Sequence, residues 1–136
     1  MTSPTYRSSP AGMGKDVQMP FEAVLERTQE ALKKEGFGIL TRIDVKATLK
    51  EKLGVDFSPF VILGACNPPL AHKALTLEPE IGLMLPCNVV VRDVGAGKVR
   101  VETVNARAMA TLFPGAGLEE VSKEVNEHLA RVLESI

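Results

Sequence analysis

Along residues 20–35 the side chains Phe21, Val24, Leu25, Thr28, Ala31 and Leu32 recur on one face at helical spacing. Pro20 suits a first turn, where its missing N–H costs nothing, and Gly36 stands where a helix stops. A first helix is predicted there. Ahead of it, Met13–Met19 offers a short strand with poor alternation. After it the period drops to two: Phe37, Ile39, Thr41 and Ile43 share one side of a strand. Asp44 then caps a short helix carrying Val45, Leu49 and Leu53 and closed by Gly54. Phe57–Cys66 reads as a second strand, with Val61-Ile62-Leu63 apolar on both faces.

Asn67 is a good N-cap, Pro68 and Pro69 fit a first helical turn, and Leu70, Ala71, Ala74 and Leu75 carry that helix until Pro79. Leu83-Met84-Leu85 and Pro86 lead into a strand from Cys87 to Val94. Gly95-Ala96-Gly97 connects it tightly to Lys98–Val104, an antiparallel hairpin. Asn105 caps a short helix to Phe113, and Pro114-Gly115-Ala116-Gly117 turns the chain. A last helix over Leu118–Leu133 places Leu118, Val121, Val125, Leu129 and Val132 on one side. Glu119 and Glu120 in its first turn and Arg131 in its last complement the helix dipole.

The hairpin rules out a purely parallel, doubly wound sheet. The pattern predicts an α+β two-layer sandwich: a largely antiparallel sheet with helices packed on one face. Residues 14–136 form one domain in this reading, behind a flexible tail over 1–13 that is rich in Ser, Thr, Pro and Gly. Strands apolar on both sides leave the second sheet face greasy, so a homodimer is expected.

Composition changes this picture little. The chain has 136 residues, 45% hydrophobic and 24% charged, with a formal net charge of −1. A near-neutral chain with one Tyr and no Trp gives no reason to expect nucleic acid. No apolar run is long enough to span a bilayer, and the first fourteen residues lack a leader's apolar stretch. Two cysteines are too few for a disulfide scaffold, so a reducing cytoplasm is the expected location.

The most site-like feature is a pair of Cys-Asn steps, Cys66-Asn67 and Cys87-Asn88. One ends a strand and the other begins one, which makes them neighbours if the strands pair antiparallel. Cys66 also precedes a helix start, where free N–H groups stabilise a thiolate or hold a small anion. The candidate ligand-binding residues are therefore Cys66, Asn67, Cys87 and Asn88, with His72 and Asp44 nearby in the pattern. An architectural explanation competes: free Cys is commonly buried as a small hydrophobe, and Asn caps helices and turns. Cys66, His72 and Cys87 supply three soft ligands for a metal or redox reading, yet there is no C-x-x-C or H-x-x-H. No metal or cofactor is assigned. No nucleotide-binding, hydrolase or zinc-protease motif occurs.

The strings Gly36-Phe37-Gly38-Ile39-Leu40-Thr41, Ile43-Asp44-Val45-Lys46-Ala47-Thr48-Leu49-Lys50, Ile62-Leu63-Gly64-Ala65-Cys66-Asn67-Pro68-Pro69-Leu70-Ala71-His72 and Leu85-Pro86-Cys87-Asn88-Val89 closely resemble the domain-of-unknown-function family 302. The resemblance runs from Gly14 to Leu112. It implies a two-layer sandwich similar in outline to the TATA-binding-protein topology, with a tendency to dimerise, and no activity. Asp44, Cys66, Asn67, Pro68, Pro69, His72, Pro86, Cys87 and Asn88 match its strongest motifs. Members of the family often carry an acidic residue and Pro after the last strand, where this chain has Asn105-Ala106. The function expected is therefore binding of a small ligand or anion at the Cys-Asn-Pro-Pro junction. The alternatives are a non-catalytic homodimeric interaction protein and a thiol redox or metal-binding protein.

Overall fold

A computed structural model describes residues 5–136. Its six strands are β1 (Thr5–Ser8), β2 (Gly12–Val17), β3 (Gly38–Asp44), β4 (Phe60–Cys66), β5 (Cys87–Gly95) and β6 (Lys98–Val104). They form one sheet in the order β1-β2-β6-β5-β4-β3, antiparallel throughout. The helices are α1 (Phe21–Lys34), α2 (Val45–Leu53), α3 (Pro68–Leu77), α4 (Ala106–Ala110) and α5 (Glu119–Glu134), with a 3-10 turn over Pro79–Met84. The protein is thus an α+β sandwich of an open antiparallel sheet and helices packed against it.

Strand alternation sets which residues meet the helices. Val61, Leu63 and Ala65 on β4, Val89 and Val91 on β5, and Val99 and Val101 on β6 are buried. They pack with Val24, Leu25, Ala31 and Leu32 of α1 and Leu129, Val132 and Leu133 of α5. The intervening Ile62 and Val90 lie on the other face and stay partly exposed. Helix α1 ends as its sequence predicts. Gly36 adopts φ +82°, its N–H donates to Lys33 O at 3.1 Å, and Phe37 N–H reaches back to Leu32 O at 2.9 Å. Only glycine takes that left-handed cap without a Cβ penalty.

Two findings depart from the sequence reading. Residues 5–8, expected within a flexible tail, form β1; residues 1–4 of that tail lie outside the described residues. Ser9 and Gly12 exchange backbone hydrogen bonds of 2.8 and 3.2 Å, closing the turn that folds β1 onto β2. Strand β2 is also firmer than its alternation suggests. Its central inward residue is Lys15, 3% exposed, whose Nζ donates to Leu133 O at 2.9 Å and Ile136 O at 3.1 Å. The ammonium so satisfies carbonyls at the α5 C-terminus, where a cation is favoured. Burial lowers the Lys15 pKa from its ordinary value. On the opposite face of β2, Arg100 grips Asp16 through bonds of 2.7 and 3.1 Å, and this pairing holds the Asp16 carboxyl below the usual range.

Candidate functional site

Cys66 ends β4, and the chain turns at once into α3. Asn67 makes the corner. Its Oδ1 accepts from Leu70 N–H at 3.5 Å, and its Nδ2 donates to Glu35 O at 3.4 Å, tying the corner to the end of α1. Pro68 and Pro69 occupy the first helical turn. They also remove what an anion would bind. Neither proline has an N–H, Leu70 N–H is taken by Asn67 Oδ1, and Ala71 N–H bonds Asn67 O at 2.8 Å. The anion expected at this helix start therefore finds no free backbone donor there.

Cys87 opens β5 and lies in register with Ala65, one residue before Cys66. It follows Pro86, which is joined to Leu85 by a cis peptide. Gly64 permits the approach of that proline ring: a Cβ there would come to 2.8 Å from Pro86 Cγ and would clash with the Thr41 side chain. Cys66 and Cys87 both line a cavity of about 320 Å³ at this end of the sheet. Its walls come from Leu70, Ala74 and Leu75 of α3, Met109 and Ala110 of α4, and Val121 and Val125 of α5. Phe37, Ile81 and Leu118 complete much of the remaining surface.

The two thiols are unlike. Both are free, Cys66 half-buried and Cys87 9% exposed. Burial pushes the Cys87 thiol up to about 11, and the charge on an ionised Cys66 opposes its ionisation further. No side chain with a formal charge lines the cavity. Asn67 is spent on the corner, and Ser122 donates to Glu119 O at 3.0 Å. Among the described residues no group of three His, Cys, Asp or Glu side chains stands ready for a metal.

The structure thus brings Cys66, Asn67 and Cys87 together and separates the other candidates from them. Asn88 is exposed and points to the opposite sheet face, where it joins Arg7, Arg100 and Glu102 around a separate groove. His72 is exposed on α3 and does not line the cavity. Asp44 accepts from Ala47 N–H at 2.9 Å and caps α2, as its position predicts. His128 bonds Glu35 at 2.8 Å and meets Phe37 edge-on at 6.3 Å, outside the cavity. The wall residues of α3, α4 and α5 were missed as site residues because they are ordinary apolar helix positions. The available signal was small size: Ala65, Ala71, Ala74, Ala106 and Ala110 all line the space.

The fold and this cavity define a class: an open antiparallel α+β sandwich with an apolar chamber at one end of its sheet. The chain belongs to the family described as "Domain of unknown function DUF302", whose profile matches residues 13–136. That match includes α5, beyond the limit of the motifs quoted above. The chain is similar to a solved structure described as an uncharacterized conserved protein DUF302 from Bacillus stearothermophilus. The two are 31% identical with a TM-score of 0.85, over 93% of this chain and 98% of the other. No curated protein matches. Among the described residues no helix is long and apolar enough to cross a membrane.

Proposed function

We propose that the protein binds a small, uncharged and mainly apolar molecule in the cavity beside Cys66 and Cys87. The observation that carries this reading is the cavity itself. About 320 Å³ of apolar space, lined in part by five alanines and open on one side to solvent, falls within the usual range of roughly 300–1,000 Å³ for ligand pockets. The absence of lining charge disfavours carboxylates and phosphates, whose desolvation would go uncompensated. Two free thiols suit a reducing compartment.

Titration with 1-octanol, followed by amide shifts, tests this. Saturable shifts are expected at Cys66, Ala74, Ala110 and Val121, and weaker ones with octanoate. Ala74→Phe, which fills the space, should abolish them while leaving the urea midpoint within about 1 M of wild type. The absence of saturable shifts at these residues with octanol would refute the reading.

A specific observation favours a second role for the outer surface. Helix α2 is 9 residues long and has no buried residue, although isolated helices below about 12–15 residues are marginal in water. Leu53, Val55 and Phe57, in and just after α2, are 69%, 44% and 41% exposed, and Ile43 on β3 is 46% exposed. Ile62 and Val90 add apolar area to the sheet's outer face. Charges there already pair internally, Arg100 with Asp16 and Arg92 with Glu102, so no oppositely charged partner is needed. These features support a second copy of the chain as the cover, related by a two-fold axis. Sedimentation at micromolar concentration is expected to give a dimer, and Ile62→Glu a monomer. A wild-type monomer under those conditions sinks the second reading.

A further inference from the structure

Of the polar residues that line the cavity, the two whose side chains have no hydrogen-bond partner among the described residues are both cysteines. Asn67 and Ser122 are engaged with backbone groups, whereas neither thiol makes a hydrogen bond among the described residues. A ligand recognised by its own hydroxyls or charges would leave them unpaired against apolar walls, at a cost of several kcal/mol. What the walls can hold is an apolar body, and what the sulfurs can recognise is a soft electrophilic centre on it. We propose that Cys66 captures α,β-unsaturated ketones or aldehydes whose apolar chain occupies this cavity. This inference rests on the ligand-binding reading above.

The division between the thiols selects Cys66. It is partly exposed at the cavity wall, whereas Cys87 is 9% exposed. Thiolate is the nucleophile in such chemistry, and the buried Cys87 keeps its proton far above neutral pH. In the step itself the Cys66 proton passes to solvent and the thiolate sulfur attacks the β-carbon. An S–C bond forms, the carbon–carbon π pair moves toward the carbonyl, and the resulting enolate takes a proton from water at the α-carbon. Nothing leaves, no group is oxidised or reduced, and no further reactant is needed. A soft metal ion fits less well: burial resists forming a second thiolate at Cys87, and no group of three His, Cys, Asp or Glu side chains is present among the described residues.

The cavity supplies selectivity by proximity. An enone whose chain is seated there meets Cys66 repeatedly, so the second-order encounter becomes an intramolecular step. A short enone of the same reactivity gains nothing from the walls.

The test uses the full chain with 3-nonen-2-one, the short 3-penten-2-one, which carries the same β-alkyl substitution, and saturated 2-nonanone as a non-reacting competitor. Modification is located and timed by mass spectrometry. With the long enone, Cys66 should be alkylated with saturation in enone concentration, and 2-nonanone should slow the reaction. Relative to the Ala74→Phe variant, the rate should be roughly tenfold or more higher. The short enone should show neither saturation nor competition. Ala110→Phe serves as a second filled variant if Ala74→Phe does not fold, and the competition by 2-nonanone needs no variant. Suppose 2-nonanone shifts the cavity amides yet Cys66 reacts linearly and without competition. The capture proposal is then overturned while the binding reading stands. Modification at Cys87 in place of Cys66 overturns it as well. If 2-nonanone shifts no cavity amide, both readings fall together.

Discussion

Leu63→Ala is expected to lower the unfolding free energy by about 2–5 kcal/mol, the range for removing a fully buried Leu from a core that cannot collapse around the gap. Leu63 is 0% exposed on β4 and packs into the cluster shared with α1 and α5. Domains of this kind have total stabilities of about 5–15 kcal/mol, so a substantial share of the margin is at stake. In urea the midpoint should fall by roughly 1–2 M at unchanged slope. Ile62→Ala is the paired control, read at a protein concentration low enough to keep the chain monomeric. Ile62 is the adjacent residue, on the other face and partly exposed, and its loss should cost less than half as much. A register slip of one residue exchanges the two positions. Equal effects, or a larger one at Ile62, would therefore contradict the facing of β4 described above.

The second large effect is alkaline. Cys87 keeps its proton in the folded protein up to a pKa of about 11, against an ordinary value of 9.0 in the unfolded chain. Between those values the unfolded state binds fewer protons, so raising the pH favours unfolding. The contribution is fully present below pH 9 and is lost as pH rises through 11. Two pH units correspond to about 2–3 kcal/mol. Amines and phenols ordinarily ionise in the same range, so the informative quantity is the stability difference between wild type and Cys87→Ala. That difference should be constant from pH 7 to 9 and shrink by about this amount towards pH 11. A flat difference over the whole range would show that the thiol is not held protonated by burial.

Much of the architecture was legible because local chemistry and tertiary packing agree. Asp44 and Gly54 bracket α2, Asn67 starts α3, and Gly36 stops α1, each through a backbone requirement readable from residue type. The β5–β6 turn was equally clear: Gly95, Ala96 and Gly97 all take positive φ. Strand β2 was obscured by Lys15. The inward series Met13, Lys15, Val17 breaks the apolar alternation, and the reason for the lysine, the end of α5, lies 118 residues away. Strand β1 has no apolar pattern of its own and is ordered by pairing with β2.

The site was legible in one half. That the two cysteines converge followed from strand ends, yet reading Cys87-Asn88 as a unit ignored the period of two that sends neighbours to opposite faces. His72 failed similarly. It stands two residues past the buried Leu70, away from the apolar face of α3. The cavity itself could not be seen, because it consists of missing volume. Alanines as far apart as Ala65 and Ala110 create it only after α3, α4 and α5 have packed.

Helix α5 spans both parts of the molecule. Its C-terminal half, Leu129, Val132 and Leu133, is embedded in the main core and moored by Lys15, whereas Val121 and Val125 near its other end wall the cavity. The Leu118 side chain is buried but makes no capping hydrogen bond. Leu118 and Val121 at that end belong to a second buried cluster with Leu70 of α3 and Ile81, and Asn126 Oδ1 accepts from Ala106 N–H at 2.8 Å, which ties the helix to α4. One helix is therefore a common beam, carrying the sheet core along one half of its length and the cavity wall along the other.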